Sequence, residues 1–442
     1  MRTPINGLKR TDCRREAECY DMLPSNKCRH ASAAVALEEW GPLVLYAVAA
    51  VVRLGGWLML PHLDMNSDFY LYERVAVNLL HGDGYVRSPG GPLETALVPG
   101  YPIFIAFSYA VFGKQLVWVR LLQVLLGATM APTAFHLGKR LFTAPAGALA
   151  GLLVGLYPIF IILPLRGYSE NLYLPLFLLF MLTYLSMLDG PTLTKACVAG
   201  CVLGLVDLIR PVGLLLPVAL LPGMLLGHWR PKVHSTKCLA VLALSTALVI
   251  SPWIVRLWMD SHRFIPLASH NGQNFFRATY ADQLLWDATA RSRLLEEHID
   301  EIGARDVPLR EWDRTYYPAG MKRIVKDPGA YLRLLPAKFI RFWYMSDTNS
   351  VVMPLIACQS VVIWPGLLAI GWHLKRRWLN DGRILAVLGI ISYLIAVSIL
   401  VSYPIARMSL PIVPLLLVLI AGAGWELSLR RGCEMEHLAK HD

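Results

Sequence analysis

Several carboxylates and guanidinium groups of this chain lie at the margins of long apolar stretches, where an unpaired charge is costly and usually has a purpose. Asp64 and Asp68 follow the first apolar stretch closely. Four residues apart, they would share one helix face and repel each other unless a cation, a proton or a substrate hydroxyl lay between them. Asp68 is the favoured general base, although the same carboxylate could simply cap a helix that starts at Phe69. Glu170, in the turn Arg166-Gly-Tyr-Ser-Glu-Asn, heads another apolar stretch. A carboxylate there also suits the helix dipole. Arg210 and Arg407 stand in turns of almost wholly apolar sequence, Leu208-Ile209-Arg210-Pro211 and Tyr403-Pro404-Ile405-Ala406-Arg407. Each could snorkel to the lipid–water boundary or hold a phosphate through its planar donors. Arg53 lies inside the first apolar stretch, and one of the outer carboxylates is its expected partner. His62 and His81 are near the same carboxylates, but no pair of histidines has metal-ligand spacing. A divalent metal beside the acidic groups is compatible with the sequence and not required by it. There is no phosphate-cradling glycine loop, nucleophile elbow or redox motif. The energy for any group transfer must therefore enter with the substrate.

The elements that position these groups follow from composition. Of 442 residues 55% are hydrophobic and the mean hydropathy is +0.47, more apolar content than a soluble core of this size needs. A membrane span takes roughly 20 apolar residues. Gly41–Leu60, Val117–Leu137, Ala144–Leu163, Leu172–Leu188, Leu239–Trp258, Val351–Trp372, Ile384–Ser402 and Leu410–Leu427 qualify. Ala196–Leu226 is too long for one span and is interrupted by Arg210-Pro211, so it reads as two, giving about ten helices in an all-α polytopic protein.

The net charge of +11 forms no nucleic-acid stripe; its distribution follows topology. A basic tail over residues 1–40 is placed in the cytoplasm. The basic groups Lys139-Arg140, Arg230/Lys232/Lys237, Lys375-Arg376-Arg377 and Arg430-Arg431 then also fall inside, provided the short apolar stretch Gly100–Gly113 lies in the interface and does not span. Residues 41–258 form a first membrane module with an outer loop at 61–116. A second outer segment covers 259–348, membrane helices occupy 349–427, and 428–442 is a cytoplasmic tail. Asp68–His81 reads as a surface helix stopped by Gly82-Asp83-Gly84; Arg291–Ile302, Trp312–Val325 and Gly329–Trp343 read as helices of the second outer segment. None of the eight cysteines falls in a segment placed outside, so no disulfide is expected.

The run Asp68-Phe-Tyr-Leu-Tyr-Glu-Arg-Val-Ala-Val-Asn-Leu-Leu-His-Gly-Asp-Gly-Tyr85, with Pro99-Gly-Tyr-Pro-Ile-Phe-Ile-Ala106 and Arg120-Leu-Leu-Gln123, resembles the first outer loop of GT-C membrane glycosyltransferases. The nearest in pattern are bacterial relatives of the dolichyl-phosphate-mannose protein mannosyltransferases and lipid A aminoarabinose transferases. Tyr157-Pro158, Ser169-Glu170, Arg210-Pro211, the segment from Asn271-Gly272 to Lys338–Trp343, and Arg407 with Leu410-Pro411 extend the likeness in order from Val44 to Leu427. The resemblance implies an inverting transferase that uses a polyprenyl-phosphate-linked sugar on the outer face, with a lipid, glycan or protein acceptor. In it Asp68 matches the presumed base, Glu170 a second acidic position and Arg407 the arginine facing the donor phosphate. Asp64, His62, Tyr101 and Asn271 fall at positions suited to substrate binding. Lipid A transferases of this kind carry a lysine before the proline pair, whereas Leu97-Val98 stand here. Phosphate contact then falls to Arg87, Arg210 or Arg407. A multi-span transporter or flippase of a lipid-linked glycan, or a non-catalytic assembly subunit, would share the many spans, but no inverted repeat is visible.

Single cysteines introduced into the turns that carry positions 68, 170 and 407 are expected to react with an impermeant maleimide from the same, outer side. Labelling of any of the three from inside would separate the groups and remove the site.

Overall fold

The computed structural model describes residues 27–220, 232–280, 287–346, 352–377 and 381–439. The first 26 residues of the basic tail, Arg230 with the far end of the predicted span to Leu226, and residues 281–286 of the second outer segment lie outside the described residues. Apart from one bridge between Val86 and Leu93, the regular structure described is helical. In hydrocarbon this is forced, because a helix satisfies its own backbone polar groups.

The first half holds α1 (Lys27–Met59), α2 (Ser67–His81), α3 (Gly100–Phe112), α4 (Leu116–Ala128), α5 (Met130–Leu141), α6 (Ala144–Leu156), α7 (Pro158–Leu165), α8 (Glu170–Asp189) and α9 (Leu193–Asp207). The second holds α10 (Leu216–Ala219), α11 (Lys232–Ser261), α12 (Asn271–Arg277), α13 (Ala288–Glu301), α14 (Trp312–Lys326), α15 (Pro328–Tyr344), α16 (Val352–Arg377), α17 (Gly382–Leu400) and α18 (Ile412–Ala439). Among the described residues seven helices are long and apolar enough to cross a membrane: Ala36–Met59, Leu116–Leu141, Glu170–Asp189, Thr236–Ser261, Val352–Arg376, Gly382–Leu400 and Ile412–Arg431. The pair α6 and α7, bent by 46° at Tyr157-Pro158, makes an eighth if counted as one span. The stretch read as two spans around Arg210-Pro211 contains α9, of 15 residues, and the single turn α10. The expected ten helices are thus not reached among the described residues by length and composition.

Where Pro158 breaks the α6–α7 ladder, the last carbonyls of α6 lose their partners. Arg53, fully buried, fills that gap by donating from Nη1 to the carbonyls of Ala49 and Gly155, each at 3.0 Å. This corrects the expectation of a carboxylate partner: the partial negative charge of a helix end inside the bundle lies within hydrogen-bond reach of Arg53, and no ion pair to it occurs among the described residues. The core of the bundle is built along α8, where Tyr173, Phe177, Phe180 and Tyr184 follow one another at helical spacing with ring centres 5.7, 6.4 and 5.8 Å apart.

Outside the spans, α2 and α3 pack through Phe69, Ala76, Tyr101, Ile105 and Tyr109. Gly82 stops α2 in the left-handed conformation (φ 86°), as its place in the sequence predicts. The 13 residues of α3 rise only about 20 Å, short of the roughly 30 Å hydrocarbon layer. Its exposed Ile103, Phe107 and Val111 fit an interfacial helix. The segment 259–348, read as outer, forms its helices nearly where the pattern places them among the described residues, and Asp327 caps α15 by accepting the Ala330 N–H at 2.8 Å.

Lipid offers no hydrophobic drive between helices, so close packing rests on small residues. A Cβ on Gly147 of α6 would meet the Phe135 carbonyl oxygen inside contact distance and lie 2.8 Å from the Lys139 backbone nitrogen on α5. Gly147→Val is expected to pry the two helices apart and lower stability by about 2 kcal/mol or more, read as an earlier melting transition of the purified protein.

Candidate functional site

Four turns converge on one ionic cluster. Asn66, not Asp68, is the N-cap of α2: its side chain accepts the Phe69 N–H at 3.1 Å and donates to the Arg166 carbonyl at 2.6 Å. The capping explanation for Asp68 therefore fails, and its carboxylate is free for other contacts. The helix begins at Ser67, so Asp64 sits in the preceding turn, exposed, and the expected shared helix face with Asp68 does not form. The turn that presents Glu170 at the head of α8 is pinned by the Tyr101 hydroxyl, which donates to the Gly167 carbonyl at 2.7 Å, with Gly167 in the left-handed region (φ 65°). Arg407 lies in the 3-10 turn Ala406–Ser409, tied to the end of α15 by the Ala406 N–H donating to the Met345 carbonyl at 2.8 Å. Arg210 rides on a turn closed by the buried Asp207 carboxylate, which accepts the Gly213 N–H at 2.8 Å. The Gly100 N–H and the Tyr393 hydroxyl hold the same turn at the carbonyls of Leu208 and Val212, both at 2.7 Å.

Arg407 sits at the centre. Its Nη1 donates to Asp68 Oδ2 at 2.6 Å, and its Nε and Nη2 grip Glu170 Oε1 and Oε2 at 2.6 and 3.1 Å. Arg210 makes a second ion pair to Glu170 Oε1. Two cations and two carboxylates thus form a quartet with no net charge. Burial works against the charge of Arg407, but the carboxylates of Glu170 and Asp68 outweigh it and hold the guanidinium protonated. The Tyr168 ring lies under it at 4.7 Å. The two carboxylates are not equivalent: the side chain of Glu170 is 1% exposed and that of Asp68 43%. Glu170 is an internal counter-ion, whereas Asp68 meets whatever enters from outside.

The other predicted residues lie elsewhere. Arg87 pairs with Glu94, whose second oxygen accepts the Ala96 N–H at 2.5 Å. His62 is exposed ahead of α2, Tyr101 is fully buried under the Glu170 turn, and Asn271 opens α12 with its side chain donating to the Ala268 carbonyl at 3.4 Å. Among the described residues none of these, nor Asp64, makes an ion pair or hydrogen bond with the quartet. Two neighbours were missed. Tyr72, one helical turn after Asp68, feels the charges of all four quartet members, and burial raises the pKa of its hydroxyl. His270 feels Asp68 and Arg210; burial lowers its pKa, and its Nδ1 is buried without a hydrogen-bond partner. The four-residue step from Asp68 could have flagged Tyr72; nothing in the sequence flags His270.

No group of three metal-ligating side chains occurs among the described residues. Between Asp68 and Glu170 the place a divalent cation would take is filled by Arg407, so the residues present do not fit a metal centre. An apolar groove of about 260 Å³ is lined by Pro99, Gly100, Ile103, Leu172, Leu176 and Ile209, of which Leu172 and Ile209 follow Glu170 and precede Arg210 closely in sequence.

The family model for dolichyl-phosphate-mannose-protein mannosyltransferases matches residues 94–256, which include Glu170 and Arg210. Among solved structures, the oligosaccharyltransferase of Archaeoglobus fulgidus in its apo form superposes with a TM-score of 0.55 at 13% identity, over 89% of this chain and 52% of that one. The archaeal oligosaccharyltransferase AglB from the same organism, in complex with an inhibitory peptide and a dolichol-phosphate, gives 0.56 at 13% identity over 90% and 52%. This is the GT-C fold. The chain spans about half the length of those structures. The resemblance read from the sequence is thereby supported by a family model over residues 94–256 and by the architecture over most of the chain's length. No curated protein matches it by sequence.

Removing Arg407 would leave Glu170 buried with one partner. Arg407→Ala is expected to destabilise the protein by about 3 kcal/mol and Arg407→Lys by less, because lysine restores charge without the bidentate fork; thermal unfolding in detergent distinguishes the two.

Proposed function

We propose that this chain is an inverting glycosyltransferase that moves a sugar from a polyprenyl-phosphate-linked donor to an acceptor hydroxyl on the extracytoplasmic face of a membrane. The observation that carries this reading is the half-exposed Asp68 carboxylate, held by Arg407 against the buried Glu170 inside a GT-C scaffold. The donor class is argued from the mannosyltransferase family model and from the dolichol-phosphate in the AglB complex. The bilayer supplies the setting, in a multi-pass inner membrane with both termini cytoplasmic.

The geometry lends itself to a single displacement. Arg407 occupies one oxygen of Asp68, Oδ2, and the other, Oδ1, is left to accept the proton of an acceptor hydroxyl. The acceptor oxygen forms the new bond to the anomeric carbon while the bond to the donor phosphate breaks, and the electron pair departs with the phosphate. Attack from the face opposite the leaving group inverts the centre. Glu170, with its two arginine partners, fixes Arg407 and through it the aim of Asp68. The groove lined by Ile103, Leu172, Leu176 and Ile209 is wholly apolar and adjoins Glu170 and Arg210 in sequence, so it suits the isoprenoid chain of a donor that enters from lipid. A transporter or flippase would need many spans too, but would not require a half-exposed carboxylate clamped by an arginine.

Transfer of radiolabelled sugar from a polyprenyl-phosphate donor, measured in membranes, is expected to fall about 10³-fold in Asp68→Asn. Full activity in that variant would end the assignment of the base, and an assembly subunit would behave that way. A chelator is expected to leave wild-type transfer unchanged, because Arg407 stands where a metal would bridge the carboxylates.

A further inference from the structure

Two arginines that the quartet does not use meet on one aromatic ring. The guanidinium carbons of Arg277, from α12, and Arg341, from α15, lie 3.8 and 4.6 Å from the ring centre of Tyr403, four residues before Arg407. Arg341 is 2% exposed. Its Nε donates to the Pro404 carbonyl at 3.4 Å, while both Nη groups are buried with no hydrogen-bond partner. The Nε of Arg277 is in the same state. The Tyr403 hydroxyl lies near enough to Arg341 to ease its charge, but it falls short of a well-aligned hydrogen bond and brings no formal negative charge.

More positive charge surrounds them. Lys338, one turn earlier on α15 and 1% exposed, donates to the Tyr331 hydroxyl at 3.3 Å; burial, with the charge of Arg341 adding, pushes its pKa down to about 8. Arg291, 1% exposed, donates to the Ser346 carbonyl at 3.0 Å and also repels Arg341. Among the described residues neither Arg277 nor Arg341 has a carboxylate partner. Arg87, Arg210 and Arg407, the arginines the sequence assigned to phosphate, each have one. Arg341 is buried and Arg277 half-buried, and like charges whose buried donors are unmet are held together at a large cost unless an anion completes them.

We infer that Arg277 and Arg341, flanking Tyr403, form the seat of the donor's phosphate, and that Arg407 and Arg210 do not. This deepens the transferase reading and rests on it. The location fits: Tyr403 and Arg407 share one turn, and α12 starts beside His270, which feels Asp68. The charge count fits as well. A sugar phosphodiester carries one negative charge, and the polyprenyl phosphate released when the sugar leaves carries between one and two near neutral pH. Two guanidinium groups therefore match the charge that builds up on the leaving oxygen better than the charge of the bound donor, which is where binding accelerates a reaction. Their paired N–H edges also suit phosphate oxygens.

The test is binding without turnover, on the full chain in nanodiscs, with polyprenyl phosphate, polyprenol and inorganic phosphate as probes. Arg341→Gln and Arg277→Gln are each expected to weaken polyprenyl phosphate by about tenfold or more while polyprenol binding stays as in wild type, which also reports that the variant is folded. Arg341→Lys should fall between. Wild-type affinity for polyprenyl phosphate in both glutamine variants overturns the site, and so does inorganic phosphate binding as tightly as the lipid. A wild type that transfers sugar but prefers polyprenyl phosphate no more than polyprenol overturns the site and leaves the transferase reading standing. One that neither transfers nor binds the phosphate removes both.

Discussion

The buried carboxylate of Glu170 is the constraint on which the site depends. At 1% exposure it can stay ionised only if cations reach it, and Arg166, the cation in its own turn, donates to the Asp64 carbonyl instead. The two that do, Arg210 and Arg407, come from turns 40 and 237 residues further on, and Arg407 in turn fixes Asp68, 339 residues before it. Removing one member exposes the others to an unbalanced charge in a low-dielectric setting, so the quartet forms as a unit or not at all. The helices that carry these turns are therefore locked in mutual register by electrostatics at one end of the bundle, in addition to the aromatic packing along α8.

The membrane dictates the rest of the architecture. Because helices alone satisfy their backbone within lipid, irregular chain is confined to places where other groups can complete it. The break before Pro158 is completed by Arg53, and the turn after α9 by Asp207. The turns at 166–169 and 403–409 lie outside the long apolar helices and are tied down by Tyr101 and by the Met345 carbonyl. A polar side chain thus does two things at once in this chain, closing a backbone gap and setting the aim of a charged residue.

The positive charge divides by partner. Arg87, Arg210 and Arg407 are neutralised by carboxylates within the protein, whereas Arg277 and Arg341 share a tyrosine ring and no carboxylate among the described residues. The proposed transfer, which separates a proton acceptor from an anionic leaving group, needs such a division. Carboxylates beside the phosphate would repel it, and free guanidinium groups beside the base would weaken it as a proton acceptor.

The sequence by itself determined the elements. Apolar length picked out the long spans but overcounted them, since the stretch from Ala196 that reads as two holds a 15-residue helix and a single turn among the described residues; the place of Gly82 ended α2 because only glycine takes the left-handed stop cheaply. The shortness of Gly100–Phe112 argued it out of the span count. It also singled out Asp68, Glu170, Arg210 and Arg407, since charged residues at apolar margins are few and costly. Only the tertiary structure decided who partners whom. Asn66, not Asp68, caps α2; Arg53 turns to a broken helix end and not to a carboxylate; and Arg87, in the same loop as Asp68, is taken up by Glu94. Ion pairs depend on distances of a few ångströms between side chains hundreds of residues apart. Periodicity and propensity act within a helix and contain no record of those distances.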